Sequence, residues 1–198
     1  MSQNQITKKQ RRFSAKRLAI DALLAAMFFA LSMLSIRAGG LKITFDSLPV
    51  VISAMLFGPL DAFLVAFIGS FLDQMMGFGF TATTLLWLLP PASRGLVIGF
   101  GCTLFRNAMS LNTIVHQKKP YVYYAVCLLA GVVTSTLNTL IYYVDAVIYH
   151  YYEYHLIFGI FGIRVLSGLI CAALTATLAL PILLALKKMR FLSDITKQ

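Results

Sequence analysis

Five apolar runs divide the chain, at residues 18–36, 47–77, 83–105, 121–144 and 157–186. A helix that crosses a bilayer needs about 20 apolar residues, so four of these runs predict one span each. The run 47–77 is too long for one span and is divided by Gly58-Pro59, a pair that turns the chain and then starts a helix. It predicts two helices, the first of them short, and the count comes to six. Ahead of this run, "IRAGGLKITFD" (36–46) sets Ile43 and Phe45 in alternation after a glycine pair, the pattern of a short extended cap. The connection "YYVDAVIYHYYEYH" (142–155) is crowded with tyrosines. They suit an aromatic belt at the membrane surface, and they equally suit a lid that offers rings and hydroxyls to a ligand.

Composition agrees with this pattern. The 198 residues are 59% hydrophobic and 12% charged, which marks an integral membrane protein. Six spans leave little length for a soluble domain, so an energy-converting module is expected on other chains. The net charge of +10 does not point to nucleic acid, because the basic residues sit in tails and one connection. Lys8, Lys9, Arg11, Arg12, Lys16 and Arg17 precede the first run, Arg106, Lys118 and Lys119 follow the fourth helix, and Lys187, Lys188, Arg190 and Lys197 end the chain. All fall on one side of a six-span topology, while Arg37, Lys42, Asp46, Asp145 and Glu153 fall on the other. The positive-inside rule then places both termini in the cytoplasm. The expected division is a basic cytoplasmic tail at 1–17, a six-helix membrane domain at 18–187 and a cytoplasmic C-terminal tail at 188–198. The first apolar run is longer than the core of a signal peptide and reads as a retained helix. Cys102, Cys127 and Cys171 stand singly in apolar runs, as packing residues do.

No catalytic constellation is visible. The chain has no HExxH, GxSxG or Walker A sequence and no second acid near Asp73, so neither an enzyme nor a nucleotide site is expected. His150, Glu153 and His155 lack regular spacing and read as a wet loop sooner than a metal site; His116 beside Lys118 and Lys119 reads as solvated. No cofactor or metal is expected. Polar groups inside the spans are more informative. Arg94 and Arg164 are basic residues within apolar runs, where a charge costs about 3 kcal/mol on insertion scales. Each must face a cavity or a partner, and Asp73 is one partner available to either. Pro90 and Pro91 interrupt the run that carries Arg94 and free backbone carbonyls near Leu86 and Trp87, which a cavity wall tolerates. Trp87, Thr83 and Thr84 add a stacking surface and hydroxyls. Thr134, Ser135, Thr136, Asn138 and Thr139 on the fifth helix suit either a pocket wall or contacts between helices. The two cations favour an anionic organic solute. In the first helix, Ala22 and Ala26 form a small-xxx-small pair, continued by Ala30, which serves internal packing or docking of another membrane protein.

Together these segments resemble the substrate-binding S components of energy-coupling factor (ECF) vitamin transporters. "ALLAAMFFA" resembles the first-helix AxxxA patch that faces the family's membrane T component. "KITFDSLPVVISAMLFGP" resembles its outer cap, short second helix and Gly-Pro turn, and "LNTLIYYVDAVIYHYYEYHLIFGIFGIR" the fifth helix, outer loop and arginine-led sixth helix of the folate-like branch. The resemblance implies an all-α six-transmembrane-helix bundle with its ligand pocket at the extracytoplasmic side, in a prokaryotic plasma membrane. It implies a high-affinity vitamin-binding subunit of an ATP-driven importer, partnered by a T component and two ATPase subunits. By position, Asn138 and Arg164 would be pocket residues, with Lys42 in the cap and Ala22 and Ala26 at the docking face; Arg94, Trp87, Thr83, Thr84 and Tyr142 complete the expected site. Folate members carry a proline-glycine-phenylalanine-threonine stretch entering the fourth helix, where this chain has "GFTATTLLWLLPPASRG". That segment is more similar to pantothenate-type members, so pantothenate is the expected vitamin, with folate or another small anionic vitamin as the alternative. An intramembrane enzyme using Asp73 and Arg94, or a self-sufficient secondary carrier, fits less well: the first lacks its partner groups and the second its internal repeat.

Overall fold

The computed structural model describes residues 15–38, 41–116, 120–151, 153 and 155–188. Helix α1 (Ala15–Met33) leads into an antiparallel hairpin of β1 (Ile36–Ala38) and β2 (Leu41–Ile43), in which Arg37 faces Lys42 across the strands. The hairpin supplies the extended cap. Helices α2 (Ser47–Leu56) and α3 (Pro59–Gly77) follow, then a single turn α4 (Thr84–Trp87), α5 (Leu89–Leu104), the short α6 (Leu111–His116), α7 (Tyr121–Ile148), a π-helical turn (His155–Gly159) and α8 (Phe161–Lys188). The helices α3, α4 with α5, α7 and α8 are long and apolar enough to cross a membrane.

Several boundaries depart from the pattern. Ala15, Lys16 and Arg17 are already helical, and Arg17 is no free tail charge. It donates through Nε to Asp61 Oδ1 at 2.9 Å, pairs with Asp61 again through its terminal nitrogen, and reaches the Phe57 carbonyl at 3.1 Å. Asp61 is fully buried, so this pair ties α1 to the α2–α3 turn with a charge that has no water to replace it. The run 121–144 continues one turn past Val144, to Ile148, which makes Asp145 a helical residue. The run carrying Pro90 and Pro91 is interrupted just ahead of them, at Leu88, between α4 and α5. The prolines occupy the first turn of α5, where missing N–H groups cost nothing. The basic residues Lys8, Lys9, Arg11, Arg12, Lys118, Lys119, Arg190 and Lys197 lie outside the described residues.

Packing is centred on α2. Its residues Ser47–Ala54 are buried on every side, as expected of a helix of about 15 Å enclosed by longer neighbours. It touches α1, α3, α5 and α8, while α3 lies on α5 and α7 on α8. Gly58 makes the turn between α2 and α3 with φ of 105°, a conformation that glycine adopts freely, and the N–H groups of Phe57 and Gly58 close on the Ser53 carbonyl at 2.9 and 3.3 Å. Small residues set the helix spacing. A Cβ at Gly95 would stand 2.6 Å from the Ala62 carbonyl oxygen of α3, and one at Gly131 would stand 3.0 Å from Ala172 of α8.

Gly95→Ala is therefore expected to force α5 away from α3 and destabilise the protein by about 2 kcal/mol, the usual scale for overpacking. Gly77→Ala, where open space awaits a methyl group, serves as the control. Thermal melting in detergent checks this, and equal midpoints for the two variants would contradict the tight α3–α5 contact.

Candidate functional site

A cavity of about 720 Å³ opens inside the bundle, a size suited to a small organic ligand. Its walls are stripes of residues three and four apart, the spacing that aligns side chains on one helix face. Trp87, Pro91, Arg94 and Ile98 come from α4 and α5; Gly131, Thr134, Ser135, Asn138, Tyr142 and Asp145 from α7; Arg164, Ser167, Gly168, Cys171, Ala172 and Thr175 from α8. Helix α3 contributes Ser70, Asp73 and Gln74, and the start of α2 contributes Asp46 and Ser47. Thr44 after the hairpin, Phe78, Thr81 and Thr83 after α3, and Tyr149 and Tyr151 after α7 also line it. The cavity thus lies at the end of the bundle where these three connections gather.

Its charges are largely answered from within. Arg94 donates to Asp46 Oδ1 at 3.2 Å and through Nε to the Thr134 hydroxyl at 3.3 Å, so its pairing runs to α2 and α7. Asp73 accepts a hydrogen bond from Ser32 at 2.7 Å. Asp46 precedes the first turn of α2, where the helix dipole favours a negative charge. Arg164 lies with its guanidinium 4.6 Å from the centre of the Tyr142 ring, a cation–π contact worth about 1 kcal/mol or more when shielded from water.

An aromatic corner is organised by Asp145. Its carboxylate accepts from the hydroxyls of Thr83 and Tyr151 and from the Trp87 indole at 3.4 Å. Tyr142 meets Trp87 edge-on at 6.3 Å and Tyr151 at 6.0 Å, and the Tyr149 hydroxyl accepts from the Ala82 N–H at 3.2 Å. Asp145 therefore holds α4, the α3–α4 connection and the α7–α8 connection against α7. Burial and then the bond to Asp145 raise the Tyr151 phenol above its ordinary pKa.

Of the residues read from the sequence, Arg94, Arg164, Asn138, Trp87, Thr83 and Tyr142 share this cavity. Thr84 does not line it: it is buried, and its hydroxyl accepts from the Thr81 N–H at 2.8 Å. Lys42 lies on β2, and its side chain is outside the described residues. The hydroxyls of the fifth span divide, with Thr134 and Ser135 on the cavity and Thr136 and Thr139 bonded to carbonyls of their own helix at 2.9 and 3.0 Å. Ala22 and Ala26 are exposed on the outer face of α1 together with Ala30. Among the described residues no three His, Cys, Asp or Glu side chains gather as a metal site. The residues missed are the carboxylates Asp46 and Asp145, placed by the pattern in connections, with Gln74, Tyr149 and Tyr151. The signal for Asp145 was available, since it continues the stripe of Asn138 and Tyr142 by three residues.

Compared with known proteins, residues 12–188 match the family model described as "ECF-type riboflavin transporter, S component". No curated protein matches the chain.

Trp87 is the single tryptophan of the sequence, so its emission reports on the corner directly. Asp145→Ala is expected to shift that emission to longer wavelength as the indole loses its acceptor and gains water, whereas Asp145→Asn, which keeps an acceptor, shifts it less. Unchanged emission in Asp145→Ala would remove Asp145 from its organising position.

Proposed function

We propose, because the chain belongs to the family of ECF-type riboflavin transporter S components, that its cavity captures a neutral, flat-ringed and hydroxyl-rich vitamin of the riboflavin type. Family membership makes the chain a multi-pass membrane protein that binds a vitamin for an ECF importer. Its partners are the membrane T component and the ATPase subunits, and its own part is binding, not catalysis. The vitamin is the finer question. The observation that carries the riboflavin reading is that the aromatic corner of Trp87, Tyr142 and Tyr151 shares one cavity with hydroxyls and amides such as Thr134, Ser135, Asn138 and Gln74. A ring system stacks on the first and a polyhydroxylated chain bonds to the second. Pantothenate, expected from two cations within apolar runs, loses support at Arg94, whose counter-charge is Asp46. A second reading, pantothenate or another small anionic vitamin such as folate, rests on Arg164 in the cavity wall.

The topology proposed with this function has six spans, with α2 as the short one and α4–α5 as one, both termini cytoplasmic and the cavity mouth extracytoplasmic. The basic residues before α1 and after α8 then carry the inner positive charge. Lys42, on the hairpin beside the mouth, remains a proposed contact in the cap. The exposed stripe of Ala22 and Ala26 is the proposed docking face for the T component, because small side chains let helices approach closely.

Titration of the purified protein with riboflavin, followed by flavin fluorescence, separates the two readings. Trp87→Ala and Tyr142→Ala are each expected to weaken riboflavin binding about tenfold, the scale of a lost aromatic contact. On the anionic reading Arg164→Gln would instead cost at least ~30-fold toward pantothenate. A parent protein that binds pantothenate tightly and riboflavin not at all would overturn the neutral-ligand reading. Replacing both Ala22 and Ala26 by leucine is expected to abolish uptake in cells and leave binding by the isolated subunit intact. A parallel loss of both would make the stripe internal packing.

A further inference from the structure

The Arg94–Asp46 pair does more than join two helices, because both side chains line the cavity. A guanidinium there is the natural anchor for a ligand carboxylate or phosphate. Here it is already engaged, by Asp46 at 3.2 Å and Thr134 at 3.3 Å. Asp46 is held in place by its position ahead of α2, the most enclosed helix of the bundle, and is itself only 7% exposed. An anionic guest would either displace it, leaving a buried carboxylate unanswered, or share the single guanidinium with it as a second negative charge. Asp73 and Asp145 on other walls add repulsion toward any second negative charge. A neutral guest meets none of these costs.

We propose that Asp46 is the charge-selecting residue of the cavity: by neutralising Arg94 from within the wall, it makes the site take an uncharged vitamin in preference to its anionic counterpart. The proposal rests on the reading of this cavity as the vitamin site. It makes a specific statement about exchange. Without the Asp46 charge, Arg94 becomes a half-buried cation without its carboxylate, and the same cavity turns toward anionic ligands.

Riboflavin and riboflavin 5′-phosphate share ring and chain and differ by the charged group, so their affinity ratio reports charge selection alone. The parent is expected to favour riboflavin. Asp46→Asn is expected to narrow that ratio at least about tenfold, and the double variant Asp46→Asn with Arg94→Gln to restore it toward the parent value. A folded Asp46→Asn that keeps the parent ratio would overturn the proposal, as would a double variant as tolerant of the phosphate as the single one, because the gain would then not come from Arg94. Should Asp46→Asn be too unstable to titrate, its melting temperature with each ligand decides. A larger rise with riboflavin 5′-phosphate than with riboflavin supports the proposal, and equal rises overturn it. A parent that binds neither flavin defeats the riboflavin reading alone. The matched pair of pantothenol and pantothenate then tests Asp46 by the same ratio and the same variants.

Discussion

A cation set among apolar helices must be answered close at hand, and the pairing of Arg94 with Asp46 is the contact around which this structure is arranged. The guanidinium comes from α5, the carboxylate from the start of α2, and the Thr134 hydroxyl that completes the set from α7. Three elements are thereby fixed around one cavity. The same logic operates at the other end of the bundle, where Arg17 of α1 meets the buried Asp61 and the Phe57 carbonyl. Breaking such a pair by removing one partner is costly because the survivor stays buried, so each pair specifies which helices lie together.

Apolar contacts supply the close fit that these pairs require. Glycines bring α5 against the backbone of α3 and α7 against Ala172 of α8, and the enclosed α2 fills the centre. At the cavity end the fit is polar and aromatic. Asp145 gathers donors from two connections and from α4, and Arg164 lies over the Tyr142 ring. Aromatic rings, hydroxyls and the paired Arg94 and Asp46 therefore line the same space, which is the basis of the neutral-ligand proposal.

Much of this was legible in the sequence, for a physical reason: a polar residue in an apolar run has to face something. That argument alone picks out Arg94, Arg164, Asn138 and Trp87, all of which line the cavity, and Gly58-Pro59 marks its turn by its own conformational demands. What escaped were relations between distant residues. Asp46 and Arg94 stand 48 positions apart, so no periodicity joins them, and an arginine read as unanswered pointed to an anionic vitamin. Asp145 was assigned to a connection because tyrosines crowd the end of its helix, although the stripe through Asn138 and Tyr142 runs on to it. Pro90 and Pro91 did mark a break in their run, which falls at Leu88, and they sit in a first turn that accepts them.

The central claim, a neutral vitamin in a cavity that has already paired its own Arg94, is tested most directly by identifying what the protein carries. Purified from cells grown in a medium containing both riboflavin and pantothenate, then denatured, the protein should release riboflavin in near-stoichiometric amount, identified by mass spectrometry. Release of pantothenate or folate in that amount, with riboflavin absent, would contradict it.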